Sequence, residues 1–338
     1  MTINLIPPYP AHRPTQDDAQ KDYVQLCKSY CVDLIEHRPW KSRSEIAEEL
    51  YSEFIVARSP IGAQASNFYH WQARHACESQ SKPAPIRSWY DRKLRKSIES
   101  SDYYADRPLS ALGMRNYIPS QFRPSAAKAL YEAFGAKRIY DPCGGWGDRL
   151  AAALASNVDL YYCRDVNPLV FTGYALQQHD MHNEVDVCFE LKGSEIDCPE
   201  PDYFDFVFTS PPYYKVEKYY GKQQSHELYK QFDVWLEKFL FAMAQNAWQS
   251  LVYGGYMLIN ISDCYANHEY NRICTPLIDF ALSQLADCEL LGVMGYEIAK
   301  RQKGEHGGGD INGEPILVFR KGGGLPLSQI LPEKKQPD

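Results

Sequence analysis

The sequence of 338 residues contains ten cysteines but no Cys-x-x-Cys pair, and it has no internal repeat. Its apolar stretches are cut short by charges or turn residues well before the ~20 residues that span a bilayer, so no membrane association is expected. The N-terminus, MTINLIPPYPAHRP, lacks a charged start followed by an apolar run. That absence predicts no secretory signal and a cytoplasmic protein of a prokaryotic cell or a phage-infected host. In that setting the scattered cysteines (27, 31, 77, 143, 163, 188, 198, 264, 274, 288) read as reduced, mostly buried thiols, with neither a disulfide framework nor a zinc site. An excess of positive charge is missing too: 36 Lys and Arg face 43 Asp and Glu, a net of −7. A chain wrapped in phosphates is usually basic. The charge is uneven, however, with 16 basic and 14 acidic residues in 1–120 against 20 and 29 in the remainder. A phosphate-binding surface would have to be local.

What is present is ordinary globular material, with 44% hydrophobic and 23% charged residues, which excludes a disordered or fibrous chain. A divide falls near Ile118-Pro119-Ser120. Before it, helical spacing predicts helices over 22–36, 44–50, 67–77 and 89–98, so that 1–117 form a mostly helical region. After it, strands are expected at 138–141, 160–165, 185–191, 204–209, 255–261, 290–296 and 315–319. Helices at 148–156, 168–181, 226–251 and 272–285 alternate with them, and 323–338 form a tail. This grammar predicts an α/β fold with a mainly parallel, seven-stranded sheet covered on both faces. Ligands in such sheets bind outside the carboxyl ends of the strands.

Three signals fall at those ends. Asp141-Pro142-Cys143-Gly144-Gly145-Trp146-Gly147-Asp148 lies between a strand and a helix, where glycines permit a tight turn and close approach to a ligand. Its spacing is not the G-x-G-x-x-G of dinucleotide sites. Asp165 ends the next strand, where a carboxylate can accept both hydroxyls of a ribose. The third signal is Ser210-Pro211-Pro212-Tyr213, directly after an apolar strand. An exocyclic amine on a base is a poor nucleophile because its lone pair is delocalised into the ring. The Ser210 oxygen and the Pro211 carbonyl can each accept one amine hydrogen and favour a pyramidal nitrogen. The two prolines hold those acceptors in place, and Tyr213 offers a face on which a flipped base can stack.

Together these segments resemble the S-adenosylmethionine-dependent amino-methyltransferases of DNA, the N4-cytosine and N6-adenine enzymes. The resemblance covers about residues 118–322 and implies a Rossmann-like class I methyltransferase domain with S-adenosylmethionine as cofactor. It assigns Asp141, Pro142, Gly144, Gly145, Trp146 and Gly147 to the methionine portion, Asp165 to the ribose, and Ser194 and Glu195 to the adenine. Phe122, Arg123 and Pro124 match the motif ahead of the glycine turn. Ser210, Pro211, Pro212 and Tyr213 become the catalytic tetrad, and serine at its first position favours N4 of cytosine over N6 of adenine. Trp146 departs from the family, which carries a smaller residue there. The motif order belongs to a class whose target-reading domain is C-terminal, yet only about twenty residues follow the last strand here. Target reading would then fall to the N-terminal third or to loops.

DNA is therefore the expected partner, and oligomeric state stays open. Candidate phosphate contacts are Arg92, Lys93, Arg95 and Lys96, then Lys215 and Lys218 after the tetrad, then Lys300 and Arg301 between the last strands. The segment 44–50 could open a helix-turn-helix. His179 and His182 near Cys188 lack metal-ligand spacing and read as structural. Cys143 reads as packing rather than as a covalent nucleophile. The alternatives are an RNA or protein amine methyltransferase and, outside enzymes, a catalytically silent nucleic-acid-binding protein.

Overall fold

A computed structural model describes residues 8–79, 82–102, 104–116, 118–181, 183–266, 268–298 and 311–331. Nine strands form its main sheet: β1 (Ile35–His37), β2 (Tyr51–Val56), β3 (Arg138–Asp141), β4 (Leu160–Asp165), β5 (Asp186–Leu191), β6 (Phe204–Thr209), β7 (Leu251–Asn260), β8 (Cys288–Glu297) and β9 (Gly313–Lys321). Their order is β1-β2-β8-β9-β7-β6-β3-β4-β5. Strands β5, β4, β3, β6 and β7 run parallel, and β9 is antiparallel to both of its neighbours. The chain order reverses between β3 and β6, which creates a crevice at their carboxyl ends. The fold is α/β and Rossmann-like.

Two apolar cores cover the two faces, and the strand residues alternate between them as a pleated strand requires. Ile139, Phe206, Phe208 and Leu258 face the helices Pro124–Ala133, Asp148–Leu154 and Pro168–Asp180. Tyr140, Val207, Met257 and Ile259 face the other side, against Leu236–Ser250 and Cys274–Gln284.

Seven of the nine strands are those expected. The other two come from the N-terminal third, where helix was expected. Instead of a helix over 44–50, a single 3-10 turn at Glu48–Leu50 leads into β2, which pairs in parallel with β8. Asp263 fixes that course: its carboxylate accepts the Glu45 amide at 2.8 Å, and its own amide donates to Ser44 Oγ at 3.0 Å. No helix remains there to open a helix-turn-helix.

The first helix is Gln16–Lys28, started by a capping box between Thr15 and Asp18, and the chain then leaves it for β1. Tyr23 donates to the Leu154 carbonyl at 2.8 Å, and Lys128 donates to that of Leu26 at 2.8 Å, so this helix is tied to the sheet-covering layer. The single helix expected over 226–251 is interrupted at 229–231, between Ser225–Leu228 and a continuous run of Phe232–Trp235, a π segment Leu236–Phe241 and Ala242–Ser250. At that interruption the Lys230 carbonyl accepts the Tyr214 hydroxyl at 2.5 Å instead of a helical amide. Among the described residues no helix is long and apolar enough to cross a membrane.

Candidate active site

A cleft of about 310 Å³ opens at the carboxyl ends of β3, β4, β6 and β7, beside the amino end of the antiparallel β9. The glycine turn and the tetrad both line it, the first through residues 142–146 and the second through all of 210–213. The turn is held by its backbone: Cys143 N donates to Thr209 Oγ1 at 3.1 Å, Gly144 N to the Arg164 carbonyl at 2.8 Å, and Gly145 N to Asp165 Oδ2 at 2.8 Å. Gly144 has to be glycine, because a Cβ there would lie 2.8 Å from the Tyr174 hydroxyl and 3.1 Å from Cys163 Sγ.

Asp165 sits at the tip of β4 and faces the cleft. Its second oxygen accepts the Asn167 amide at 2.8 Å, which leaves a lone pair on each oxygen for a ligand hydroxyl. Burial lifts its carboxyl to about 6. Beside it, Ser194 is buried; its hydroxyl bridges the Pro142 carbonyl at 2.5 Å and the Tyr140 hydroxyl at 3.1 Å, tying the loop after β5 to the glycine turn. Glu195 lines the cleft, and burial raises its carboxyl above the ordinary range. Trp146 lines the cleft. It packs against Tyr219 of the loop after the tetrad, ring centroids 5.6 Å apart.

Four of the residues expected to hold a cofactor do not line the cleft. Asp141 is fully buried and consumed by its partners: Arg149 Nε at 2.7 Å and the Tyr161 hydroxyl at 2.6 Å. It anchors the strand end from behind. Gly147 adopts φ +69° and faces the other way, where its missing side chain makes room for His70 Nε2, 2.4 Å from a would-be Cβ. His70 comes from the helix Ala63–His75, so this glycine seats the N-terminal third against the turn. Arg123 and Pro124 begin the helix Pro124–Ala133, and only Phe122 of that motif reaches the cleft, stacked on Tyr296 at 4.4 Å.

Several lining residues carry no local motif. Gln121 Nε2 donates to Asp148 Oδ1 at 2.9 Å, and Ser66 also donates to that carboxylate. Asp148 is buried, and its carboxyl is pushed up to about 6 by burial. At the tetrad end lie Asn260, Tyr296, Glu217 and Glu314. Asn260 stands at the carboxyl end of β7, where the strand-end rule could have marked it; Glu314 stands at the amino end of the antiparallel β9, which that rule does not reach. The Tyr213 hydroxyl is bonded to Ser210 and donates to Glu314 Oε2 at 3.5 Å. Burial and the nearby Glu217 carboxylate raise the Glu314 carboxyl above its ordinary range.

The basic candidates separate. Lys215 and Lys218 border the tetrad without lining the cleft, Lys215 with its ammonium 4.9 Å from the Tyr214 ring centroid. The loop they share is pinned by a two-residue ribbon in which Glu217–Lys218 pairs with Glu78–Ser79. Arg92, Lys93, Arg95 and Lys96 form the helix Arg92–Glu99, which packs on its own small core of Trp89, Ile98, Ala111 and Leu112. Three of the four are exposed; Arg95 is turned inward to the Trp89 carbonyl and Glu99. Lys300, Arg301 and His182 lie outside the described residues. His179 is exposed and pairs with Asp180, and no group of three metal-ligating side chains occurs among the described residues. The Cys143 thiol is pushed well up by burial and so stays protonated.

No family model matches the chain, and no curated protein matches it. Solved structures do. An S-adenosylmethionine-dependent O-methyltransferase from Thermotoga maritima is 11% identical, covering 60% of this chain and 72% of that one, with a TM-score of 0.37. An rRNA methylase from Streptococcus thermophilus is 13% identical, covering 60% and 99%, with a TM-score of 0.37. A branched-chain polyamine synthase from Thermus thermophilus, in complex with N4-aminopropylspermidine and 5'-methylthioadenosine, is 12% identical, covering 59% and 55%, with a TM-score of 0.40. The likeness is one of fold alone, and the Rossmann-like assignment stands on the strand order.

Proposed function

We propose that the protein is an S-adenosylmethionine-dependent methyltransferase acting on the exocyclic amine of a base in DNA, with N4 of cytosine favoured and N6 of adenine second. The observation that carries this reading is that the glycine turn and the Ser-Pro-Pro-Tyr bend, 64 residues apart from Trp146 to Ser210, line one cleft. The cleft suits the cofactor chemically. Asp165 offers lone pairs to ribose hydroxyls, and Asp148, Asp165 and Glu195 give the walls a negative character that suits a cation.

When bound, the cofactor supplies an electrophilic methyl group on a sulfonium. The chain's own task is positional. Ser210 Oγ and the Pro211 carbonyl accept the amine hydrogens, and Tyr213 supports the base plane. Buried surroundings strengthen those acceptors relative to water. A base in duplex DNA would have to be flipped, at a cost of a few kcal/mol that stacking offsets. Cys143 stays outside this chemistry, because a protonated thiol is a weak nucleophile.

The test is mass spectrometry of nucleosides from DNA of cells expressing the protein. N4-methylcytosine is the expected product, and unmodified DNA would refute the reading. A second reading, an amine acceptor in a protein, is favoured by the two carboxylates Glu217 and Glu314 at the acceptor end. Phosphate-bearing polymers avoid such groups unless bases alone enter. Tritium transfer to DNA, tRNA and protein pools separates the two.

A further inference from the structure

An amine that gains a methyl group must lose a proton, and the tetrad alone has nowhere to keep it. A serine hydroxyl and a peptide carbonyl accept hydrogen bonds but do not retain a proton near neutral pH, whereas a carboxylate can. Two lining carboxylates, Glu217 and Glu314, neighbour the tetrad. Glu314 is the one joined to it. The Ser210 hydroxyl is bonded to the Tyr213 hydroxyl, and the latter donates to Glu314 Oε2 at 3.5 Å. That last distance is long, as such contacts often are before substrate fills a site.

We infer that Ser210, Tyr213 and Glu314 form a hydroxyl relay that delivers the amine proton to the Glu314 carboxylate. The relay rests on the reading of Ser210 as a group that holds the acceptor amine. In the step, a nitrogen–carbon bond forms while the carbon–sulfur bond breaks and leaves its electron pair on sulfur. The amine proton passes to Ser210 Oγ, the serine proton to Tyr213 Oη, and the tyrosine proton to Glu314. Both hydroxyls end as they began, and Glu314 ends as a carboxylic acid.

Burial suits Glu314 to the task. Its carboxyl is lifted above the usual glutamate range, so the proton it takes up is held more firmly than by a solvated carboxylate. The groups that face it are Tyr213 and Glu217 from the segment after β6 and Tyr296 directly opposite on β8. Glu217 is itself bonded by the Tyr219 hydroxyl and lies on the pinned loop, which makes it the electrostatic neighbour rather than the end of the relay.

Tyr213→Phe separates this role from base stacking, since it keeps the ring and removes only the link. At saturating cofactor its single-turnover transfer rate is expected to fall by about 100-fold. Oligonucleotide affinity in the presence of S-adenosylhomocysteine, measured with no transfer taking place, should stay unchanged. Glu314→Gln should lose rate similarly while still binding cofactor by calorimetry, and Glu314→Asp should regain part of it. The wild-type rate should drop on the acid side, with a midpoint above the ordinary glutamate range, and that limb should vanish in Glu314→Gln. Carbon-13 observation of the Glu314 carboxyl should give the same midpoint without any turnover. Tyr213→Phe at the wild-type rate, or an intact acid limb in Glu314→Gln, overturns the relay while an inactive Ser210→Ala keeps the amine reading standing. A wild-type protein that methylates no base amine brings down both.

Discussion

The two ends of the cleft are built differently. At the glycine turn nearly every polar group is already committed: Asp141 to Arg149 and Tyr161, Asp165 to two amides, Ser194 to Pro142 and Tyr140. At the tetrad the contacts are looser, with a 3.5 Å hydrogen bond, half-buried carboxylates and a loop held by a two-residue ribbon. The first end suits a ligand that is always the same; the second suits one that must be admitted and released. Pre-formed acceptors cost little to use, whereas a loose rim has to be ordered at the moment of binding.

Mutations can break or sharpen that contrast. The largest effect is expected from Arg149→Leu, which strands the Asp141 carboxylate in a dry interior. Chemical denaturation should show a loss of about 3–5 kcal/mol, and a stability near wild type would mean that the rigid end is less committed than its contacts imply. Next, Ser210→Ala should cut tritium transfer by about 100–1000-fold with cofactor affinity intact by calorimetry. Equal losses in both would erase the division between the two ends.

A smaller change is expected at Asp165. Its replacement by Ala should weaken cofactor binding by about 10–100-fold, as for hydrogen bonds to a charged group. The same carboxyl titrates near 6, raised by burial, so it is an ionised acceptor above that value. Wild-type cofactor affinity should therefore decline as pH falls through about 6, and a flat profile would remove Asp165 from the binding role. The smallest effect belongs to the distant basic helix. Neutralising Arg92, Lys93 and Lys96 should lower the slope of DNA affinity against salt by about one unit per lost phosphate contact. An unaltered slope would leave that helix as plain surface.

The parts of the fold legible in the sequence are those set by short-range rules. β3 was readable to the residue because an apolar run ends in an acid and a glycine turn, and the tetrad was readable because two prolines and an aromatic close a buried strand. β2 was not, since its partner β8 lies about 240 residues later and its own first turn carries helix-forming glutamates. The break near Lys230 has no proline or glycine to announce it; a tyrosine from another segment takes the carbonyl. Asp141 and Gly147 show the limit within a motif. Both residues sit in the expected turn, yet one looks inward to Arg149 and the other outward to His70, and no spacing rule distinguishes these from a ligand. Glu314 escaped notice because only the finished sheet brings its strand beside the tetrad.

The ribbon between Glu78–Ser79 and Glu217–Lys218 has one further consequence. It stitches the rim of the reaction site to a part of the chain about 140 residues upstream, and Cys77 adds a contact from its thiol to the Lys218 carbonyl. Exchanging the first third of this chain would thus remove the anchor of the loop that carries Glu217 and Tyr219 into the cleft.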